Sequence, residues 1–103
     1  MKIIRLLAMA LVPVGILCAA PAAADETDDL YLIGLETESI SLPPSDAISA
    51  AYAVCALIAK GATSEQLVMA TVRRTGLGLA DAGFLAGAAI YSYCPEYESA
   101  VGE

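Results

Sequence analysis

Two cysteines set in apolar stretches constrain this 103-residue chain more than any other feature. Cys55 lies within AISAAYAVCALIAK at residues 47–60, and Cys94 directly follows GFLAGAAIYSY at residues 83–93. The third cysteine, Cys18, lies in an N-terminal segment that we expect to be removed. Two cysteines then remain, an even number in an exported chain, and this predicts a disulfide between them. Two free thiols or a shared metal site are the alternatives, and zinc is disfavoured because the chain contains no histidine.

The first 24 residues have the pattern of a secretory signal peptide. Lys2 and Arg5 form a basic start, residues 6–20 form an apolar core, and three alanines supply a small-residue cleavage site at the end. A retained membrane anchor is the alternative, but the apolar run is shorter than the roughly 20 residues that a span needs. We therefore expect a cleaved Sec-type signal, a protein that is secreted or associated with the cell envelope, and no stable membrane span after cleavage.

The 79 residues that would remain are strongly acidic. All twelve acids lie in them and only Lys60, Arg73 and Arg74 are basic, so the net charge changes from −7 to −9. Such a chain repels phosphate backbones and anionic membrane surfaces, and we expect no nucleic-acid partner. A chain this short has a small core. A disulfide that closes a loop of about 40 residues would stabilise it by roughly 4 kcal/mol.

Apolar spacing and helix start and stop signals predict the secondary structure. Helices are expected over residues 30–37, from Pro44 or Ser45 to Lys60 with Gly61 as the stop, from a Thr63–Gln66 capping box to Arg74, and from about Leu79 to Tyr93 before Pro95. We therefore predict an all-α fold, a small bundle of three to four short helices stapled by one disulfide. The expected layout is a signal peptide at 1–24, a helical domain at 25–97 and a flexible acidic tail at 98–103.

Helical periodicity also predicts how these helices pack. The second helix is expected to be buried on most sides, with one apolar face made of Ile48, Tyr52, Cys55 and Ile58 and a neighbouring face made of Ala47, Ala50, Val54 and Leu57. Gly83 and Gly87 in the fourth helix are expected to let these two helices approach closely inside a soluble bundle. The disulfide would then bring Tyr91, and with it Tyr93 and Tyr97, near Tyr52.

Few residues in the sequence could carry chemistry. Histidine is absent, both remaining cysteines are expected to be oxidised, and the paired acids lie in segments that we expect to be exposed. We predict no catalytic residue, no metal site and no cofactor, and therefore no enzyme. Four tyrosines are candidates for an aromatic contact surface, with packing at the edge of the core as the alternative: Tyr52, Tyr91, Tyr93 and Tyr97.

The chain resembles a family of small secreted actinobacterial, chiefly mycobacterial, proteins catalogued as domain-of-unknown-function family number 732. The resemblance covers about residues 28–97, and its most specific part is Val54-Cys55 with the later Tyr93-Cys94-Pro95. Further matching positions are Asp28, Tyr31-Leu32, Leu35, Ile40, Gly61, Ser64-Glu65, Gly76-Leu77, Phe84 and Ala89-Ile90. The resemblance implies export and a helical domain with paired cysteines in its core. It implies no activity and no catalytic residues.

These observations favour an exported, non-catalytic binding or interaction protein of the cell envelope or medium. Its expected partner is an unknown envelope or extracellular protein, or an apolar ligand. An apolar-ligand carrier is the alternative, because the chain is rich in Ala, Leu and Ile, and a closed cavity inside the bundle would favour it. A small carboxylate-dependent enzyme is a third reading, which requires a cleft that holds a carboxyl group of raised pKa.

Overall fold

The computed structural model describes residues 26–101, and their regular structure is helical throughout. Helix α1 spans residues 26–37, α2 Pro44–Ala59, α3 Ser64–Thr75, α4 Leu79–Tyr93, a 3-10 helix Pro95–Tyr97, and α5 Glu98–Val101. The predicted all-α fold is therefore confirmed. The predicted signal peptide at 1–24 lies outside the described residues, and α5 lies in the segment predicted as an acidic tail.

The limits of α2 follow from the residues at its two ends. Pro44 occupies the first helical position, where the missing N–H costs nothing because that group has no partner inside a helix. After the last turn, Gly61 has a φ of 97°, a left-handed conformation that glycine adopts without strain. Its N–H donates to the carbonyl of Ile58 at 3.0 Å. The predicted start at Pro44 and stop at Gly61 are both confirmed.

Helix α3 begins at the predicted capping box. The Thr63 hydroxyl accepts a hydrogen bond from the N–H of Gln66 at 3.2 Å, and the Gln66 amide oxygen accepts one from the N–H of Thr63 at 2.8 Å. Leu67 and Thr71 are its buried residues, and the Thr71 hydroxyl donates to the carbonyl of Leu67 at 2.8 Å. The helix ends at Gly76, which has a φ of 79°.

The hydrophobic core is centred on α4, which contacts both α2 and α3. The inner face of α4 buries Ala82, Leu85, Ala86, Ala89 and Ile90, and α2 buries Ala47, Ala50, Ala51, Val54 and Ile58. The predicted buried face of α2 is therefore only partly correct, because Tyr52 is 55% exposed. The neighbouring predicted face is confirmed at Ala47, Ala50 and Val54, which are buried, and its alanines let neighbouring helices approach more closely than a tyrosine ring allows.

A disulfide joins Cys55 in α2 to Cys94 at the end of α4, as predicted. The two Cα atoms are 6.0 Å apart and 39 positions separate the residues in sequence. The sulfur of Cys55 also lies 3.9 Å from the carbonyl oxygen of Ala89. An oxidised sulfur carries no proton, so this is a packing contact between α2 and α4 and not a hydrogen bond. This geometry favours the disulfide over the free-thiol and shared-metal alternatives for these cysteines.

Candidate functional site

Tyr31 anchors α1 to the rest of the domain. Its side chain is 1% exposed, and its hydroxyl donates a hydrogen bond to the carbonyl oxygen of Ala47 in α2 at 2.8 Å. Its ring packs edge-on against Tyr93 of α4, with 5.3 Å between ring centroids. Burial raises the pKa of Tyr31 above its ordinary value, so the ring stays a neutral hydrogen-bond donor. One tyrosine thus links α1 to both α2 and α4.

Tyr93 continues this cluster toward the surface. Its ring lies edge-on to Tyr52 at 5.1 Å between centroids, and its hydroxyl donates to the carboxylate of Asp28. Burial raises the pKa of Tyr93, and the hydrogen bond to Asp28 and the negative charge of that carboxylate raise it further. Both tyrosines with a raised pKa are held in the protonated form that makes their hydrogen bonds. Their role is to hold three helices together.

The expectation that the disulfide brings tyrosines near Tyr52 is confirmed for Tyr93, whose ring packs on Tyr52, and is wrong for Tyr91. Positions two apart in a helix point about 200° apart, so Tyr91 and Tyr93 cannot share a face. Tyr91 is 71% exposed on the outer side of α4. Tyr97, in the 3-10 helix, is partly buried against the core. The four candidate tyrosines therefore occupy at least two different environments.

An apolar groove runs between α1 and α4 on the side of Tyr91. Its volume is about 530 Å³. Three large side chains are exposed along it: Leu30 of α1, and Phe84 and Tyr91 of α4. The remaining lining consists of Tyr31, Gly34, Gly83, Gly87, Ala88 and Ser92. We call this feature the α1–α4 groove.

The α1–α4 groove continues into a second depression toward the start of α1. That depression has a volume of about 370 Å³, and it shares Leu30, Tyr91 and Ser92 with the groove while adding Thr27 and Pro95. The beginning of α1 therefore lies beside the end of α4, and Gly34 lies further back, beside Gly83 and Phe84. The two helices run antiparallel, and the apolar surface follows the line between them.

Three glycines form the floor of the α1–α4 groove. A Cβ atom built on Gly34, Gly83 or Gly87 would have no atom of the surrounding protein within 4 Å. The prediction that Gly83 and Gly87 permit close packing of α2 on α4 is therefore wrong, because both line the groove on the outer side of α4. A glycine inside a helix costs roughly 1 kcal/mol relative to alanine. Nothing in residues 26–101 uses the space that these three glycines leave.

The charge around the α1–α4 groove has one sign. Helices α1 and α4 and residues 94–101 contain no lysine or arginine, whereas exposed acids lie on α1, on α4 and just after it: Glu26, Asp29, Glu36, Asp81, Glu96 and Glu98. The three cations of the described chain lie elsewhere. Lys60 and Arg73 line a depression between α2 and α3, and Arg74 donates to the hydroxyl of Ser49 at 3.0 Å.

The acids of the described residues form no cluster that resembles a catalytic or metal site. The paired acids at 36 and 38 and at 96 and 98 are exposed, as is Asp29, while its neighbour Asp28 accepts the hydrogen bond from Tyr93. Within residues 26–101, the acids and cysteines form no group of three or more that could hold a metal ion. Over the same residues, every helix is too short or too polar to cross a membrane.

Sequence reasoning missed Leu30 and Phe84 as members of a site. Helical spacing contained a signal for both residues. Leu30 and Gly34 are four positions apart, as are Phe84 and Ala88, which places each pair on one helix face. What the sequence could not show is that these faces lie side by side and remain uncovered. Only the position of α1 against α4 reveals it.

Fold and site together define a small all-α domain that is closed by one disulfide and carries an open apolar groove. The family model described as "Protein of unknown function (DUF732)" matches residues 25–96, and the chain belongs to this family. Two similar proteins are "Uncharacterized protein Mb1323c" of Mycobacterium bovis and "Uncharacterized protein MT1330" of Mycobacterium tuberculosis. Each is 36% identical over 81 residues, which cover 77% of this chain and 72% of the relative. No solved structure matches the chain.

Proposed function

We propose that this chain is an exported, non-catalytic binding protein of the cell envelope or medium, and that the α1–α4 groove is its contact surface. The observation that carries the proposal is the run of exposed apolar side chains along that groove. Leu30 is 65% exposed and Tyr91 is 71% exposed, and Phe84 is exposed further along the same groove. Single exposed apolar residues are ordinary, but a contiguous apolar patch is typical of an interaction site.

A non-catalytic role is supported by the chemistry of the described side chains. The chain has no histidine, and Cys55 and Cys94 are joined, so neither is a nucleophile. Tyr31 and Tyr93 hold their protons through their raised pKa values. The α1–α4 groove is lined by apolar side chains, by glycines, by two tyrosines and by one serine, and its lining contains no carboxylate.

A protein partner is better supported than a carried apolar ligand. A carrier requires a cavity that encloses most of the ligand surface. The α1–α4 groove is instead open to solvent along its length, and its walls are themselves exposed. A partner that brings its own apolar face would cover Leu30, Phe84 and Tyr91 at once.

Export is supported by two independent features. The first 24 residues follow the signal-peptide pattern, and disulfides such as Cys55–Cys94 persist in oxidising compartments outside the cytosol. The intact mass of the protein recovered from a mycobacterial culture checks this part. A product that begins at Asp25 and lacks alkylatable thiols is expected, whereas an uncut leader would contradict export by cleavage.

Photo-cross-linking from the groove tests the binding role. A photoreactive phenylalanine analogue replaces Phe84 in the groove or, as the matched control, Met69, which is 41% exposed on α3. After irradiation of cultures, we expect protein adducts from position 84 and none from position 69. Identical adduct patterns from both positions, or none from either, would contradict the proposal.

A further inference from the structure

We infer that the partner presents an amphipathic helix whose apolar face fills the α1–α4 groove and whose flanks carry lysine or arginine. This inference rests on the proposed binding function and adds the shape and charge of the partner. It is carried by three features of the described residues: the charge around the groove, its length, and its glycine floor.

The charge around the groove favours a cationic partner. No carboxylate lines the groove, but exposed acids lie close to it on both helices: Glu26, four positions before Leu30 on α1, Asp81 at the start of α4, and Glu96 just after α4. By helical spacing, Asp81 shares a face with Phe84 and Ala88 of the groove wall. Charges at the rim of an interface steer association and select the sign of the partner. Lysine or arginine beside the apolar face of a bound helix would meet these carboxylates.

The same charge disfavours two other occupants. A second copy of this chain would bring the same acidic rim to the groove, and like charges at a rim oppose association. An anionic bilayer would be repelled for the same reason. Both remain outcomes that the experiment below would detect.

The dimensions of the groove fit a helix. Its α1 wall and the adjoining depression extend from Thr27 to Gly34, which corresponds to about 10 Å at 1.5 Å per residue, or two turns. Two antiparallel helices with a depression between them form the kind of surface into which an amphipathic helix lays its apolar face. Such a helix would present side chains at positions i, i+3, i+4 and i+7 to Leu30, Phe84 and Tyr91.

The glycine floor explains how a helix could approach closely. Gly34, Gly83 and Gly87 leave the backbone of α1 and α4 bare where a partner would lie deepest, and the chain itself leaves that space unfilled. Small residues at a helix contact let the backbones come near each other. A long side chain at Gly87 should therefore block docking without disturbing the core, because the added atoms would point into open space.

Two designed peptides serve as probes for this inference. Each is a fluorescein-labelled amphipathic helix of about 18 residues, about five turns, with leucine on one face. The flanks carry lysine in one peptide and glutamate in the other. Anisotropy titrations compare wild type, Gly87→Gln in the groove, and Ala56→Gln as the control. Ala56 is exposed on α2 away from the groove, so both variants add the same side chain to a helix surface.

The expected result is at least about tenfold tighter binding of the lysine peptide than of the glutamate peptide at low salt, with the difference shrinking as salt rises. Gly87→Gln should weaken the lysine peptide by at least about tenfold, as expected when a docking site is blocked. Ala56→Gln should bind as wild type does. Circular dichroism would verify that both variants keep the helical fold.

Four outcomes would overturn the inference. These are no binding of the lysine peptide, equal binding of both peptides, binding that Gly87→Gln leaves unchanged, and sedimentation of the free protein as a dimer through the groove. Flotation with phosphatidylglycerol vesicles that Gly87→Gln abolishes would also overturn it in favour of a membrane. Cross-linking from position 84 does not depend on the charge of the partner. Adducts there without a preference for lysine would refute the inference and leave the proposed function standing.

Discussion

The two faces of α4 differ in what covers them, although both are apolar. The inner face buries Leu85, Ala89 and Ile90 against α2 and α3, and it ends at the disulfide through Cys94. The outer face presents Phe84, Gly87 and Tyr91 to solvent in the α1–α4 groove. One 15-residue helix therefore contributes both the core of the domain and its candidate contact surface.

The difference teaches that hydrophobicity alone does not separate core from site in a chain this apolar. On the inner face the side chains are buried against neighbouring helices. Buried polar groups nearby are hydrogen-bonded, as the Tyr31 hydroxyl is to the carbonyl of Ala47. On the outer face, glycines leave space that the chain does not fill. Substitutions on the inner face should change stability, and those on the outer face should change binding.

The largest effect is expected from the disulfide that closes the inner face. Replacing both Cys55 and Cys94 by alanine should lower the free energy of unfolding by about 4 kcal/mol, because the unfolded chain regains the freedom of a 39-residue separation. Urea unfolding of the oxidised wild type and of the double variant measures this. A loss below about 1 kcal/mol would mean that the disulfide adds little to a core that is already stable.

A matched pair of leucines tests the inner face against the outer one directly. Leu85 is 0% exposed and Leu30 is 65% exposed. Leu85→Ala should cost about 3 kcal/mol through lost burial and a residual cavity, whereas Leu30→Ala should stay within about 0.5 kcal/mol. The free energies of unfolding in urea give both values. Similar losses for the two variants would erase the distinction between the faces.

The tyrosine cluster predicts a loss of stability in alkali. Below a pH of about 10, folded and unfolded chains both keep their phenolic protons, so the contribution is complete. At higher pH the two tyrosines lose their protons in the unfolded chain but keep them in the folded chain, because folding raises the pKa values of Tyr31 and Tyr93. The free energy of unfolding therefore falls as the pH rises. The loss should reach at most about 1.4 kcal/mol per pH unit for each tyrosine.

Urea unfolding at a series of pH values from about 9 to about 11.5, on either side of the ordinary tyrosine pKa, measures this slope. Tyr31→Phe should reduce the slope, because one of the two shifted groups is removed. Tyr91→Phe, at an exposed ring, should leave it as in wild type. An unchanged slope in Tyr31→Phe would contradict the assignment.

At neutral pH, Tyr31→Phe has a smaller effect that isolates one hydrogen bond. The variant keeps the ring and its contact with Tyr93 but removes the donor to the carbonyl of Ala47, so it should cost about 1 kcal/mol. Tyr91→Phe is again the matched control, and it should leave the unfolding free energy as in wild type. A neutral result for Tyr31→Phe would mean that the hydroxyl contributes nothing beyond the ring.

The smallest predicted effect is a gain on the outer face. Gly87→Ala should raise the free energy of unfolding by about 0.5–1 kcal/mol, because alanine favours the helix and its Cβ meets open space. Gly76→Ala is the contrasting variant, since Gly76 has a φ of 79° that alanine rarely adopts, and it should destabilise the protein. Thermal unfolding separates the two. Destabilisation by Gly87→Ala would show that the groove floor is needed for folding.

Local chemistry made much of the secondary structure predictable. Pro44, Gly61, the Thr63–Gln66 capping box and the turn at Gly76 act within a few residues of themselves, so their effects could be identified without knowledge of the fold. The disulfide was predictable for another reason, because removal of the predicted signal peptide would leave two cysteines and only one possible pairing. The helices and the bond between two of them follow from these signals.

The sequence by itself determined helices α2, α3 and α4 with their limits, the acidity and the paired cysteines of this protein, whereas α1 begins at residue 26 and not at the predicted residue 30. Only the tertiary structure decided that Tyr91 faces away from Tyr52, that the alanine-containing face of α2 is buried more deeply than the face with Tyr52, and that Gly83 and Gly87 face outward. The physical reason is that nearly every side of α2 and α4 is apolar, so periodicity cannot select the buried face. That choice depends on which neighbours pack closest, and in this fold α1 packs through Tyr31 beside α4 and leaves the groove open.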